Sequence, residues 1–157
     1  MVEQADLKEA LAASVRQSKN VRVSAQGSSM GAPYHQATQL MVQGRDHTRV
    51  KVGSIILFTS SNGWMAHRVI RILGNGSSIQ YATKGDANRY FDGPYVTPDR
   101  LLGTVVGWVK GDEETVFGWR DGLRAHRKVF SGQVLWIWRA FRIRGTGKVY
   151  TDEELTR

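Results

Sequence analysis

Leu7, Leu11 and Val15 recur at every fourth position within residues 4–17 (QADLKEALAASVRQ). One narrow apolar stripe of this kind predicts a helix of three to four turns over residues 1–19, laid against the rest of the chain. Asp6 and Glu9 near its start and Arg16 near its end suit the helix dipole. The pattern then changes period. Val21–Ala25 (VRVSA) alternates and predicts a strand running into a turn at Gln26–Met30. Residues 31–49 show no clear period, which predicts a long loop with a short helix near the mouth of a site.

Val50–Thr59 (VKVGSIILFT) reads as a strand with a glycine at a turn or bulge. Ser60–Gly63 (SSNG) predicts a hairpin turn, because Asn-Gly supplies the positive φ values a tight turn needs. Trp64–Leu73 is its partner strand, and Gly74–Ser77 (GNGS) turns the chain into a further strand at Ser78–Thr83. Lys84–Pro98 is turn-rich. Leu101–Lys110 (LLGTVVGWVK) predicts a strand broken by two glycines, with one more strand at Thr115–Trp119. Short strands joined by Gly-rich turns indicate a mainly β, antiparallel domain. Asp121–Arg144 mixes apolar and basic residues in a helical rather than strand-like way, with Gly132 dividing two helices.

Composition adds limits. At 157 residues the chain is read as one domain: a helix at 1–19, a β core at 20–119 and a basic aromatic helical segment at 120–150. The 41% apolar and 23% charged shares are ordinary for a globular protein, and the absence of cysteine excludes disulfides and thiolate metal sites. No run approaches the roughly 20 apolar residues of a membrane span. The N-terminus, acidic first and without an apolar core, is not a signal peptide, so a cytoplasmic location is expected. The formal charge of +8 is concentrated in Gly118–Tyr150, where eight Lys/Arg face only Asp121. A basic, Trp-rich end suits a negative partner such as anionic lipid, an acidic peptide or nucleic acid. Covering one face of the sheet, with its arginines in water, is the plainer use of that segment.

The candidate chemistry lies in three stretches: GSSM at Gly27–Met30, WMAHRVIRI at Trp64–Ile72 and KGDANRYFD at Lys84–Asp92. A serine in a Gly-rich turn is ordinarily a turn residue. Ser29 differs because a strand feeds a turn that lifts its Oγ out of the sheet and converges backbone N–H groups on one point. On a strand, His67 shares a face with Met65 and Val69 while Arg68 points away. An imidazole on an apolar face wants partners for both nitrogens, and a hydroxyl with a carboxylate would satisfy them. His35, His47 and His126 lack such a setting. Asp86 and Asp92 are the candidate carboxylates, and either can reach back from the one loop. Metal binding is the rival reading, but no His-x-His or HExxH spacing occurs, and neither metal nor cofactor is expected.

In order, GSSM, VGSIILF, AHRVIRI, YATKGDANRYFD and LLGTVVG resemble the signal peptidase family over residues 20–107. The likeness is to its Ser–His–Asp branch, found in the endoplasmic reticulum and archaea, and to small soluble relatives. It implies a signal-peptidase-like β fold with Ser29 as nucleophile and His67 as general base, where the bacterial branch has lysine. Asp86 corresponds to the aspartate of the family's GD pair and Asp92 to the carboxylate that orients the histidine. Lys84 and Asn88 match in structural roles. Three departures stand out. Gly31 and Ala32 both precede Pro33, where the family has one residue. Gly27 replaces a hydroxyl that some members use for the oxyanion, which would leave the Ser29 amide with Ser28 and Met30 in the binding turn. No run in the sequence corresponds to the family's membrane anchor, so none is expected.

The resemblance implies a soluble serine endopeptidase that cleaves a leader or signal-like peptide, with small residues before the cut. Related enzymes bind substrate as an added β-strand, for which Val21–Ala25 and Ile79–Thr83 are candidate edges. An anionic membrane surface meeting residues 120–150 would be a second partner. The alternative is a non-catalytic peptide-binding or nucleic-acid-associated relative, since self-cleaving repressors share the fold. No helix-turn-helix pattern precedes the core, which disfavours nucleic acid.

Overall fold

The computed structural model describes residues 13, 20–24, 26–31, 34, 39–44, 49–61 and 63–117. Ala13 is helical. The rest of the expected N-terminal helix and the whole expected basic helical segment lie outside the described residues. What is described is mainly β and antiparallel, as the short strands and Gly-rich turns predict.

Seven strands follow in chain order: β1 (Asn20–Ser24), β2 (Gln39–Gln43), β3 (Ile55–Ser60), β4 (Gly63–Leu73), β5 (Gln80–Lys84), β6 (Leu101–Lys110) and β7 (Glu113–Val116). The sheet runs β1-β2-β6-β3-β4-β5, and β7 pairs with β6. All pairings are antiparallel. A short 3-10 turn at Gly76–Ser78 links β4 to β5.

β3 explains why the core has two halves. Its apolar run IILF is buried throughout, and successive side chains leave opposite faces. Ile55 and Leu57 join Val23, Met30, Leu40, Val42, Leu102 and Val105 on one side. Ile56 and Phe58 join Val50, Val69, Tyr81, Val96 and Leu101 on the other. Each fully buried Val, Ile, Leu or Phe contributes about 1.5–3 kcal/mol relative to exposure, so both clusters are substantial sources of stability among the described residues. Burial also pushes the Tyr81 phenol above its ordinary pKa.

Three expectations need correction. The aperiodic stretch 31–49 contains β2, because Leu40, Met41 and Val42 are all buried and a bulge interrupts the register between Met41 and Val42. A strand covered on both faces shows no alternation to read. The second concerns Leu101–Lys110, which forms one continuous strand rather than a strand broken by glycine. Its glycines are there for clearance. A Cβ on Gly103 would lie 2.4 Å from the Gln43 carbonyl oxygen, and one on Gly107 2.4 Å from that of Thr115. β3 also starts later than expected, at Ile55, after a turn in which Gly53 has φ +95.

Candidate functional site

His67 is placed by the β3–β4 hairpin. The register pairs Ile56 with His67, Ile55 with Arg68 and Ser60 with Gly63. The imidazole therefore leaves the face that carries Met65 and Val69 and meets the Phe58 ring edge-on, with centroids 6.3 Å apart. Arg68 leaves the other face. Both side chains are buried, so both need partners.

Ser29 arrives from β1. The chain leaves Ser24 and turns at Ser28–Gly31, where the Gly31 amide donates to the Ser28 carbonyl at 2.9 Å. Met30 anchors the turn by burial in the first cluster, while Ser28 and Gly27 are exposed and Gly27 has φ +107. A second loop holds the turn from the far side. The Ala87 amide donates to the Ser29 carbonyl at 2.8 Å. The backbone at residue 85 passes so close that a Cβ there would sit 2.5 Å from the Ser29 oxygen, and glycine is what permits the approach.

The three side chains converge. Ser29 Oγ lies 2.8 Å from His67 Nε2, and His67 Nδ1 lies 2.6 Å from Asp92 Oδ2. Their order along the hydrogen bonds follows from chemistry. A carboxylate can only accept, so Nδ1 carries the proton toward Asp92. In the neutral imidazole Nε2 is then an acceptor, and the Ser29 hydroxyl donates to it. Ser29 is half-buried and His67 only 3% exposed, so the serine keeps some exposure while the ring is covered.

Asp86 and Asp92 separate cleanly. Asp92 meets His67. Asp86 instead takes Arg68 in a two-pronged pair, Nε to Oδ1 at 2.8 Å and Nη2 to Oδ2 at 2.7 Å. Arg68 Nη1 donates to the Gly53 carbonyl at 2.8 Å. Burial works against the Arg68 charge. The hydrogen bonds and attraction of Asp86, helped by Tyr34, outweigh it and hold the guanidinium more firmly protonated than in water. Asp86 is thus a partner for Arg68, and the loop carrying it supports the Ser29 turn. Lys84 also acts on that loop, donating from Nζ to the carbonyls of Gly85 at 3.1 Å and Asn88 at 2.7 Å. Asn88 takes part here through its backbone carbonyl.

Two features escaped the sequence. Thr83 Oγ1 donates to the same Asp92 oxygen that faces His67, at 2.7 Å. Nothing in YATK marks that threonine; only the pairing of Val69 with Thr83 places it on the histidine's face. The other feature is the bulge between Val69 and Arg71, which steps the β4–β5 register just beyond His67.

Of the two expected docking edges, β5 is occupied. Tyr81 and Val96 exchange backbone hydrogen bonds at 2.8 and 2.9 Å, and the Asp92 amide donates to the Thr83 carbonyl at 2.9 Å. β1 ends the sheet on the other side, with no strand beyond it among the described residues.

Among the described residues there is no group of three or more His, Cys, Asp or Glu side chains able to hold a metal ion. Every buried side-chain nitrogen and oxygen among them has a hydrogen-bond partner. No helix among them is long and apolar enough to cross a membrane. A scan against protein-family models and a search of curated proteins each find no match for this chain.

Proposed function

We propose that this chain is a soluble, cytoplasmic serine endopeptidase of the signal-peptidase type, trimming a leader or signal-like peptide. The observation that carries the reading is the unbroken line Ser29 Oγ–His67 Nε2 and His67 Nδ1–Asp92 Oδ2, at 2.8 and 2.6 Å. A structural histidine needs two partners. It does not need one of them to be the hydroxyl of a half-buried serine on a turn held in place by a second loop.

The mechanism is acyl transfer. Ser29 Oγ attacks a peptide carbonyl carbon while His67 Nε2 takes its proton, and Asp92 keeps the ring in the tautomer that leaves Nε2 free to accept. His67 then passes the proton to the departing amine as the C–N bond breaks. Water, activated by the same nitrogen, releases the acyl group and regenerates the hydroxyl. The Ser29 amide is the assigned oxyanion donor, in a turn shared with Gly27, Ser28 and Met30. An extended peptide adding to the outer edge of β1 would run toward Ser29, since that strand feeds the serine turn directly. The basic residues of 120–150 provide charge for resting on an anionic membrane surface where such precursors are presented.

Digestion of a mixed peptide library, with new N-termini read by mass spectrometry, tests this. Wild-type protein is expected to cut after small residues. Asp92→Asn is expected to cut the same bonds about 10⁴-fold more slowly, because the wrong tautomer is then favoured. A library left intact by wild-type protein, or cut equally well by the Asn variant, would refute the proposal.

A further inference from the structure

Asp92 is gripped twice by one residue. Its backbone amide donates to the Thr83 carbonyl at 2.9 Å, and its Oδ2 accepts the Thr83 hydroxyl at 2.7 Å. The same Oδ2 accepts His67 Nδ1 at 2.6 Å. Thr83 is itself only 1% exposed, in the middle of the buried part of β5. Asp92 lies on an irregular loop and its side chain keeps 15% exposure, so no strand of its own fixes its rotamer. A carboxylate in that position can swing either oxygen toward the imidazole, or toward water. With carbonyl and hydroxyl both from Thr83, backbone and side chain of Asp92 are pinned at once, and one oxygen is committed to the ring.

We propose that Thr83 is a positioning residue for the reaction: its hydroxyl locks Asp92 Oδ2 on His67 Nδ1 and so sets the tautomer that lets Nε2 accept from Ser29. This rests on the peptidase reading above. Thr83 touches no reacting atom and acts only through the carboxylate. The pairing of Val69 with Thr83 is what brings the hydroxyl to the histidine's side of the sheet.

Three substitutions separate the hydroxyl from the shape. Thr83→Val keeps the shape and removes the donor, Thr83→Ser keeps the donor and removes a methyl, and Thr83→Ala removes both. Each is folded, checked by thermal melting, and reacted with a fluorophosphonate probe. The rate of Ser29 labelling is expected to fall about tenfold or more in the Val and Ala variants, the effect of one lost hydrogen bond to a charged group. Thr83→Ser is expected to recover most of the wild-type rate. Proton spectra give a second readout: the His67 Nδ1–H resonance should move in Thr83→Val and return in Thr83→Ser. A rate that follows size, with Val normal and Ser and Ala both slow, overturns the inference and leaves Thr83 as packing. Wild-type protein that does not label at all would instead overturn the peptidase reading beneath it.

Discussion

Ser29→Ala is expected to lower the rate of peptide cleavage by about 10⁵- to 10⁶-fold while leaving the thermal midpoint within a few degrees of wild type. The size of the loss follows from the covalent step, which has no substitute once Oγ is gone. Asp92 and His67 stay in place without it. The small structural cost follows from position. Ser29 is half-buried, and its turn is fixed by backbone contacts, from Gly31 to the Ser28 carbonyl and from Ala87 to its own. His67 Nε2 loses one hydrogen bond, a cost of about 1–3 kcal/mol, while its Nδ1 bond to Asp92 is untouched. Initial rates on a mapped library peptide, beside a melting curve, check both halves. Cleavage by the alanine variant at the wild-type rate would show that this serine is a turn residue and no more.

The second large effect falls on stability. Asp86→Ala is expected to destabilise the fold by about 3–5 kcal/mol, since it strands a buried guanidinium. The Arg68 and Asp86 side chains are 5% and 4% exposed, and both carboxylate oxygens are engaged. Replacing the pair together, Arg68→Met with Asp86→Leu, is expected to cost less than the single change, because no unpaired charge is left behind. Denaturant unfolding of the three proteins reads the difference directly. A double variant weaker than Asp86→Ala alone would mean the pair does more than neutralise itself, for instance by shaping the loop that carries Ala87. The two aspartates should therefore part in experiment as they do in space, Asp92 toward rate and Asp86 toward stability.

How far the sequence foretold this depends on the residue. The β3–β4 hairpin was legible because SSNG marks a tight turn and both flanking runs are strand-like, and from the hairpin follows the opposite facing of His67 and Arg68. The gathering of Ser29, His67 and a carboxylate was legible too, through the ordered resemblance rather than through any one motif. The choice of Asp92 over Asp86 came from the resemblance alone, because the residues themselves leave both open. Six residues apart on one loop, they differ only in where the chain folds back, and that is decided by the Asp92 amide meeting the Thr83 carbonyl. β2 was hidden because burial on both faces erases the period that betrays a strand. Gly103 and Gly107 looked like breaks because clearance from a neighbouring carbonyl cannot be seen along the chain. Thr83 had no signal of its own. Its role exists only in the pairing of two strands.

The most direct trial is covalent. Wild-type protein treated with a fluorophosphonate, digested and mapped by mass spectrometry, is expected to carry one phosphonyl adduct on Ser29, and His67→Ala is expected to carry almost none. Labelling spread over several exposed serines such as Ser28, or adduct at Ser29 that forms equally fast without the imidazole, would contradict the account.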